Sequence, residues 1–201
     1  VGDWLVVKQY GADGDVIEMS LNTIKVQNFD KTITTFPTAA VMTTGVTNWR
    51  GMSEAGGRRI KRAIHLDISS IRFCNQALLD KIATLDIMCP VLESKMAEIQ
   101  KYNQDKKIST TQMANGRQLT NVGLFRHYME AYIRQREDIH QKFTFLIRQL
   151  ASDANGLPLE IYIFTNTTNW IEYEGIQSDI FDHIFAVLDY FDLKIFQNIT
   201  T

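Results

Sequence analysis

The chain has 201 residues, 45% hydrophobic and 10% aromatic, enough to bury a core and inconsistent with wholesale disorder. Lys and Arg total 21 against 23 Asp and Glu, a formal charge of -2, which argues against a dedicated nucleic-acid binder. Neither a membrane helix, which needs ~18 apolar residues in a run, nor a signal peptide is expected, and Cys74 and Cys89 have no Cys or His at ligand spacing, so two reduced thiols in a cytoplasmic setting are expected.

In chain order, residues 1 to 47 read as all-β. VGDWLVVKQY is strand-like, and GADGD at 11–15 is expected to be a turn because its residues tolerate positive φ. VIEMS and TIKVQN alternate around Leu21, with Ile24 and Val26 on one face and Lys25 and Gln27 on the other. NFDK turns the chain again, and TITTF runs to Pro37, which cannot continue a central strand. Four or five short strands in this space predict a small barrel or sandwich. Thr23, Thr32, Thr34 and Thr35 are stiff β-formers that add little apolar bulk, which suits a small barrel with a wet outer face or one packed on copies of itself. Residues 48–57, NWRGMSEAGG, read as a glycine-rich linker and the domain boundary.

RRIKRAIHLDI resumes strand alternation, with Ile60, Ile64, Leu66 and Ile68 on one face and Arg59, Lys61, His65 and Asp67 on the other. A helix is predicted over about 74–87, broken by Pro90, and a second over VLESKMAEIQKY on Leu92, Met96 and Ile99. The aperiodic polar run 103–120 reads as a surface loop, and LFRHYMEAYIRQ as a helix carrying Phe125, Tyr128 and Tyr132 on one side. KFTFLIRQL and LPLEIYIFTN form a hairpin around ASDANG. Asn169, three residues before Glu172, reads as an N-cap with capping-box geometry for a helix that buries Tyr173, Ile176, Ile180, Ile184, Val187 and Leu188. DLKIFQN is expected as a last strand. With a helical insertion over about 88–140 set aside, residues 58–198 spell β-α-β-β-α-β, the ferredoxin-like order. The fold class expected is therefore α+β, a small barrel over 1–47 followed by this mixed domain.

Candidate chemistry is sparse. His65, His127, His140 and His183 have no i, i+4 partner and no HExxH frame, and the serines lack a GxSxG context. GADGD is followed by no Lys-Ser or Lys-Thr and opens no helix, and Asp13 and Asp15 lack the glutamate that would end a calcium loop. RRIKR at 58–62 is the one concentrated basic run; it reads as an edge strand guarded by charge, or as an electrostatic element at a rim or subunit contact. No catalytic, cofactor-binding or metal residue is assigned, no cofactor is expected, and the chain is read as a non-enzyme.

A family resemblance emerges from motifs in order. VGDW at 1–4 and GDVIEMSLNTIKVQNFDKTITTFPT at 14–38 resemble the segment that follows the pore helix in small-conductance mechanosensitive channels, through Gly14, Val16, Leu21, Thr23 and Pro37. NWRGMSEAGGRRIKR, TNVGLFRHYMEAYIR and GLPLEIYIFTNTTNWIEYEGIQSDIFDHIF are more similar still to the miniconductance subgroup of bacterial inner-membrane channels. Thr38 and Ala39 depart from the Asn-Ser that usually follows the proline. The start at Val1 is read as the start of a piece of a longer protein.

The resemblance implies a cytoplasmic cage at the inner membrane: an Sm-like β-barrel ring under the pore, an α/β domain enclosing a vestibule, and seven identical subunits. It implies a role in the response to hypo-osmotic shock, itself as partner, membrane attachment through upstream helices missing here, and no nucleic acid. The alternative weighed is a stand-alone Sm-like RNA-binding module. Lys8, Lys25, Lys31 and Arg50 against Asp3, Asp13, Asp15, Glu18 and Asp30 disfavour phosphate binding by the first domain.

Overall fold

Alternating small and branched side chains build the first strands of the chain, whose computed structural model describes residues 1–197. The molecule divides into two compact units, Val1–Arg58 and a second that begins at Arg59. Residue 198, the expected end of the second domain, lies outside the described residues.

The first unit is one antiparallel sheet in the order β4-β3-β2-β1-β5, formed by β1 (Trp4–Val7), β2 (Ala12–Met19), β3 (Thr23–Asn28), β4 (Ile33–Pro37) and β5 (Thr47–Asn48). The GADGD turn is corrected here. The turn is Lys8–Gly11, closed by Gly11 in the left-handed region at φ 63, and β2 already runs from Ala12. Ala12, Gly14 and Val16 face inward while Asp13 and Asp15 face out. The inward residues are too small for their alternation to register as hydrophobic periodicity. Gly14 has a second reason to be glycine: an added Cβ would press into the Gln27 carbonyl oxygen of the neighbouring strand.

Ile24 and Val26 are fully buried, as their alternation predicts, and with Leu5, Val7, Ala12, Val16, Phe36 and Ala40 they make the core of this unit. The NFDK turn is present, with Lys31 in the left-handed region at φ 71. A closed barrel is not: β4 and β5 are the two edges of an open sheet among the described residues. A two-residue β5 and a β4 that ends on Pro37, which has no N–H, offer too few groups to close it. A short helix, α1 (Ala40–Thr43), links these edges. The expected linker is also structured. Asn48 is in β5, and Arg50–Ala55 forms α2, ended by Gly56 at φ 72.

The second unit carries a three-stranded sheet, order β6-β8-β7, with β6 (Arg58–Leu66), β7 (Leu146–Gln149) and β8 (Leu157–Thr165). Ile60, Ile64 and Leu66 are buried as predicted, but Ile68 is half exposed because the strand ends at Leu66 and Asp67 caps a 3-10 turn by accepting from the Ser69 N–H. β7 and β8 pair as the expected antiparallel hairpin, with Gly156 at φ 93. The predicted last strand reduces to one bridge, Leu66 to Ile195, flanked by Asp67 N–H to Lys194 O (2.8 Å) and Phe196 N–H to His65 O (2.9 Å).

The helices are α3 (Gln76–Ala83), α4 (Cys89–Asp105), α5 (Asn121–Arg134) and α6 (Trp170–Val187). The first begins where Asn75 caps it, accepting from the Leu78 N–H, and stops at Ala83, short of the expected 87. Pro90 stands in the first turn of α4, so it starts a helix as much as it ends one. α5 is no peripheral insertion. It buries Val122, Leu124, Phe125, Tyr128, Met129 and Ile133 in the same core as the sheet, and Phe125 and Tyr128 each pack their rings 5.3 Å from Phe191.

Candidate functional site

The threonine-rich hairpin places its side chains in two classes. Thr34 points toward the Val26 side of the sheet, half buried, and its hydroxyl accepts from Asn28 Nδ2 at 2.9 Å; Thr32 accepts from the same amide at 3.0 Å. Asn28 therefore ties the turn to the strand, a role that periodicity did not reveal. Thr35 is exposed on edge strand β4, opposite Lys25. Pro37 closes that edge opposite Thr23, while Thr38 returns to the β2–β3 turn through its hydroxyl to Ser20 O (3.1 Å).

The first unit exposes several large apolar side chains: Leu21 in the β2–β3 turn is 91% exposed and Met42 on α1 90%, with Met19 at the end of β2 and Ile33 on edge strand β4 more than half exposed. An unpaired strand edge that carries an exposed apolar side chain is a surface another strand can cover.

The opposite edge is pinned by charge. Asp3 accepts from Asn48 Nδ2 (2.9 Å) and from Arg50 Nε (3.0 Å) and Nη2 (2.6 Å), tying β5 and the start of α2 to the first residues of the chain. The Asn48 bond, then the Arg50 bond, hold its carboxyl below the ordinary carboxylate range. Trp4 stacks on Trp49 at 4.7 Å, meets Phe29 edge-on at 5.2 Å and donates its indole N–H to Asp13 at 2.8 Å, while Arg58 lies 5.6 Å from its ring. Asp13 is thus an indole acceptor on the outer face of β2.

In the second unit the basic run divides as a strand requires. Arg59 reaches Tyr162 on β8, with Cζ 5.5 Å from the ring, and Arg62 lies over Phe181 at 4.3 Å. Arg148 binds the buried Glu160 across the hairpin at 2.7 Å. His183 stacks on Tyr132 at 3.9 Å and shares a 2.7 Å hydrogen bond with the Tyr128 hydroxyl; burial, then Arg136, push its pKa down. His127 is likewise lowered, chiefly by burial. These histidines are packing residues of α5 and α6. No group of three His, Cys, Asp or Glu that could hold a metal occurs among the described residues, and none of their helices is long and apolar enough to cross a membrane. Asn121 went unnoticed in the sequence: fully buried, it accepts from the Arg72 N–H and donates to Ser70 O, both at 2.9 Å.

Comparison with known proteins agrees with this geometry. Residues 1–51 match the family described as Mechanosensitive ion channel, beta-domain. Wild-type MSL1 of Arabidopsis thaliana, solved by cryo-EM, superposes with a TM-score of 0.62 at 15% identity, covering 98% of this chain and 50% of that one. The closed-state crystal structure of Helicobacter pylori MscS superposes at 0.55 and 13% identity, covering 100% of this chain and 56% of that one. The likeness establishes a shared fold, and the chain spans about half the length of these solved chains.

Proposed function

Because residues 1–51 belong to the mechanosensitive ion channel β-domain family, we propose that the chain is the non-catalytic, self-associating cage segment of a mechanosensitive channel. In this reading it belongs to the miniconductance subgroup of bacterial channels, sits on the cytoplasmic face of the inner membrane and serves the response to hypo-osmotic shock. The open sheet is the observation that carries self-association: the bare β4 edge, with Ile33 exposed on it, is the feature a neighbouring copy would cover. A ring of identical chains is a closed heterologous arrangement, and seven copies are proposed. A ferredoxin-like second domain belongs to the same proposal. The strand order β6-β8-β7, with Ile195 bridged to Leu66, supports it.

The test uses the full-length channel. Tension-gated currents in excised patches, with a heptameric mass in detergent, are the expected result. A monomeric mass, or membranes that stay silent up to lysis, would reject the reading. Nothing in the family match favours RNA as a partner.

A further inference from the structure

The segment between α4 and α5 is not a loose loop. Asn103, buried on α4, accepts from the Arg117 N–H and donates to the Arg117 carbonyl, both at 2.9 Å. Arg117 also pairs with Glu98 at 2.7 Å, and Lys95 meets the same carboxylate at 2.8 Å. At the near end the Ile108 N–H donates to Asn103 O at 2.9 Å; at the far end the Cys74 N–H donates to Leu119 O at 2.9 Å. Gly116, at φ 71, is where the chain passes so close to Asn103 that a side chain would strike its amide. Four anchors hold the segment as an arch.

Beneath the arch is a cavity of about 580 Å³, within the range of sites that bury small ligands. Met96, Ile99, Leu79, Met113 and Leu119 form its wall, and Gln100, Gln104 and Gln118 carry amides around it. Lys107 is the only charged residue lining it, and there is no carboxylate among the described lining residues. Two methionines in the wall give it adaptable, polarizable surface.

We propose that this cavity binds a single-chain anionic amphiphile, its apolar chain along Met96, Ile99 and Met113 and its acid head at Lys107. Lys107 is exposed at the rim of the cavity; with no carboxylate among the described lining residues to balance it, its ammonium would attract an anionic head and repel a cationic one. The Cys74 thiol at the cavity is pushed up to about 11 by burial, so it stays protonated and the binding is non-covalent.

The test is calorimetric titration of the protein with sodium decanoate below its micellar range, with ¹³C-methyl spectra of the methionines recorded in parallel. Saturable binding at one site, with shifts confined to Met96 and Met113, is expected. Met113→Glu, at a half-exposed position that tolerates charge, should weaken decanoate at least tenfold. Lys107→Asn keeps a residue suited to the left-handed φ of 51 and should weaken decanoate several-fold while leaving decanol unchanged. Neutral vesicles doped with lysophosphatidylglycerol, a single-chain anionic lipid, form the second arm. Binding of decanoate alone identifies a free acid, and binding of both identifies a chain drawn from a bilayer. Non-saturable uptake, binding of vesicles alone, or full affinity in both variants would overturn the proposal.

Discussion

At the scale of single residues, close backbone approach and ion pairing decide which side chains are replaceable. Gly14 sits in extended backbone with the Gln27 carbonyl where a Cβ would go, so Gly14→Ala must part β2 from β3. We expect a loss of about 1–3 kcal/mol in urea unfolding, the usual range for overpacking; Gly51→Ala, in helix α2 with open space around it, is the control and should be neutral to slightly stabilising. Glu98 gives a second residue-level test. Hydrogen bonds from Lys95 and Arg117 lower its carboxyl to about 2 from the ordinary 4.5. A depressed carboxylate contributes stability that is present above the ordinary pKa and is lost as pH falls through the depressed one. The Glu98 anchor of the arch should therefore hold at pH 4 and be lost toward pH 2, while the Asn103 hydrogen bonds remain. Carboxyl ¹³C titration should show Arg117→Ala moving the Glu98 midpoint back toward 4.5; an unchanged midpoint would mean that Arg117 does not hold it.

At the scale of elements, caps and facing helices matter more than propensity. Asn169 accepts from the Ile171 and Glu172 N–H groups at 2.9 and 3.2 Å, so the predicted cap of α6 is real, but the box is not reciprocal. Glu172 instead accepts the Thr167 hydroxyl at 2.6 Å, and Thr167 in turn accepts the Asn169 N–H. Asn169→Ala should cost about 1 kcal/mol in thermal or urea unfolding, and Glu172→Gln, which keeps an acceptor for Thr167, markedly less. Between α5 and α6, burial and then Arg136 disfavour the charged form of His183, so its contribution to stability is complete above pH 6.5 and is lost as pH falls through the lowered value. NMR titration of the imidazole should find its midpoint below 6.5; a midpoint at or above it would contradict the packing described.

At the scale of the whole molecule, the β4 edge is where the proposed self-association can be tested against the fold. Thr34 and Thr35, adjacent in sequence, are not equivalent probes. Thr34 is hydrogen-bonded and half buried, so Thr34→Asp would damage the sheet itself. Thr35→Asp adds a charge to an exposed edge position and spares the core. On the channel reading proposed above, Thr35→Asp in the full-length protein should reduce the oligomer mass in detergent or shift the tension threshold, while urea unfolding of the 201-residue chain stays unchanged. Wild-type mass, threshold and conductance would remove the β4 edge from the assembly.

Local pattern by itself determined a good deal. The alternation of Ile24 and Val26, the Asn169 cap and the helical spacing of Phe125, Tyr128 and Tyr132 were all legible, because each is written within one or two turns or strands. The motifs around Gly14 and Pro37 lie within residues 1–51, the stretch that matches the mechanosensitive ion channel β-domain model. What local pattern could not decide was how elements close on one another. The first half of β2 was hidden because its inward residues, Ala12 and Gly14, are small, and Gly14 is so because the backbone of β3 lies where a side chain would go. The open edges, the place of α5 in the core, and the arch held by Asn103, Arg117 and Glu98 depend on partners distant in sequence. Burial and hydrogen bonding are set by those non-local neighbours, and only the folded chain brings them together.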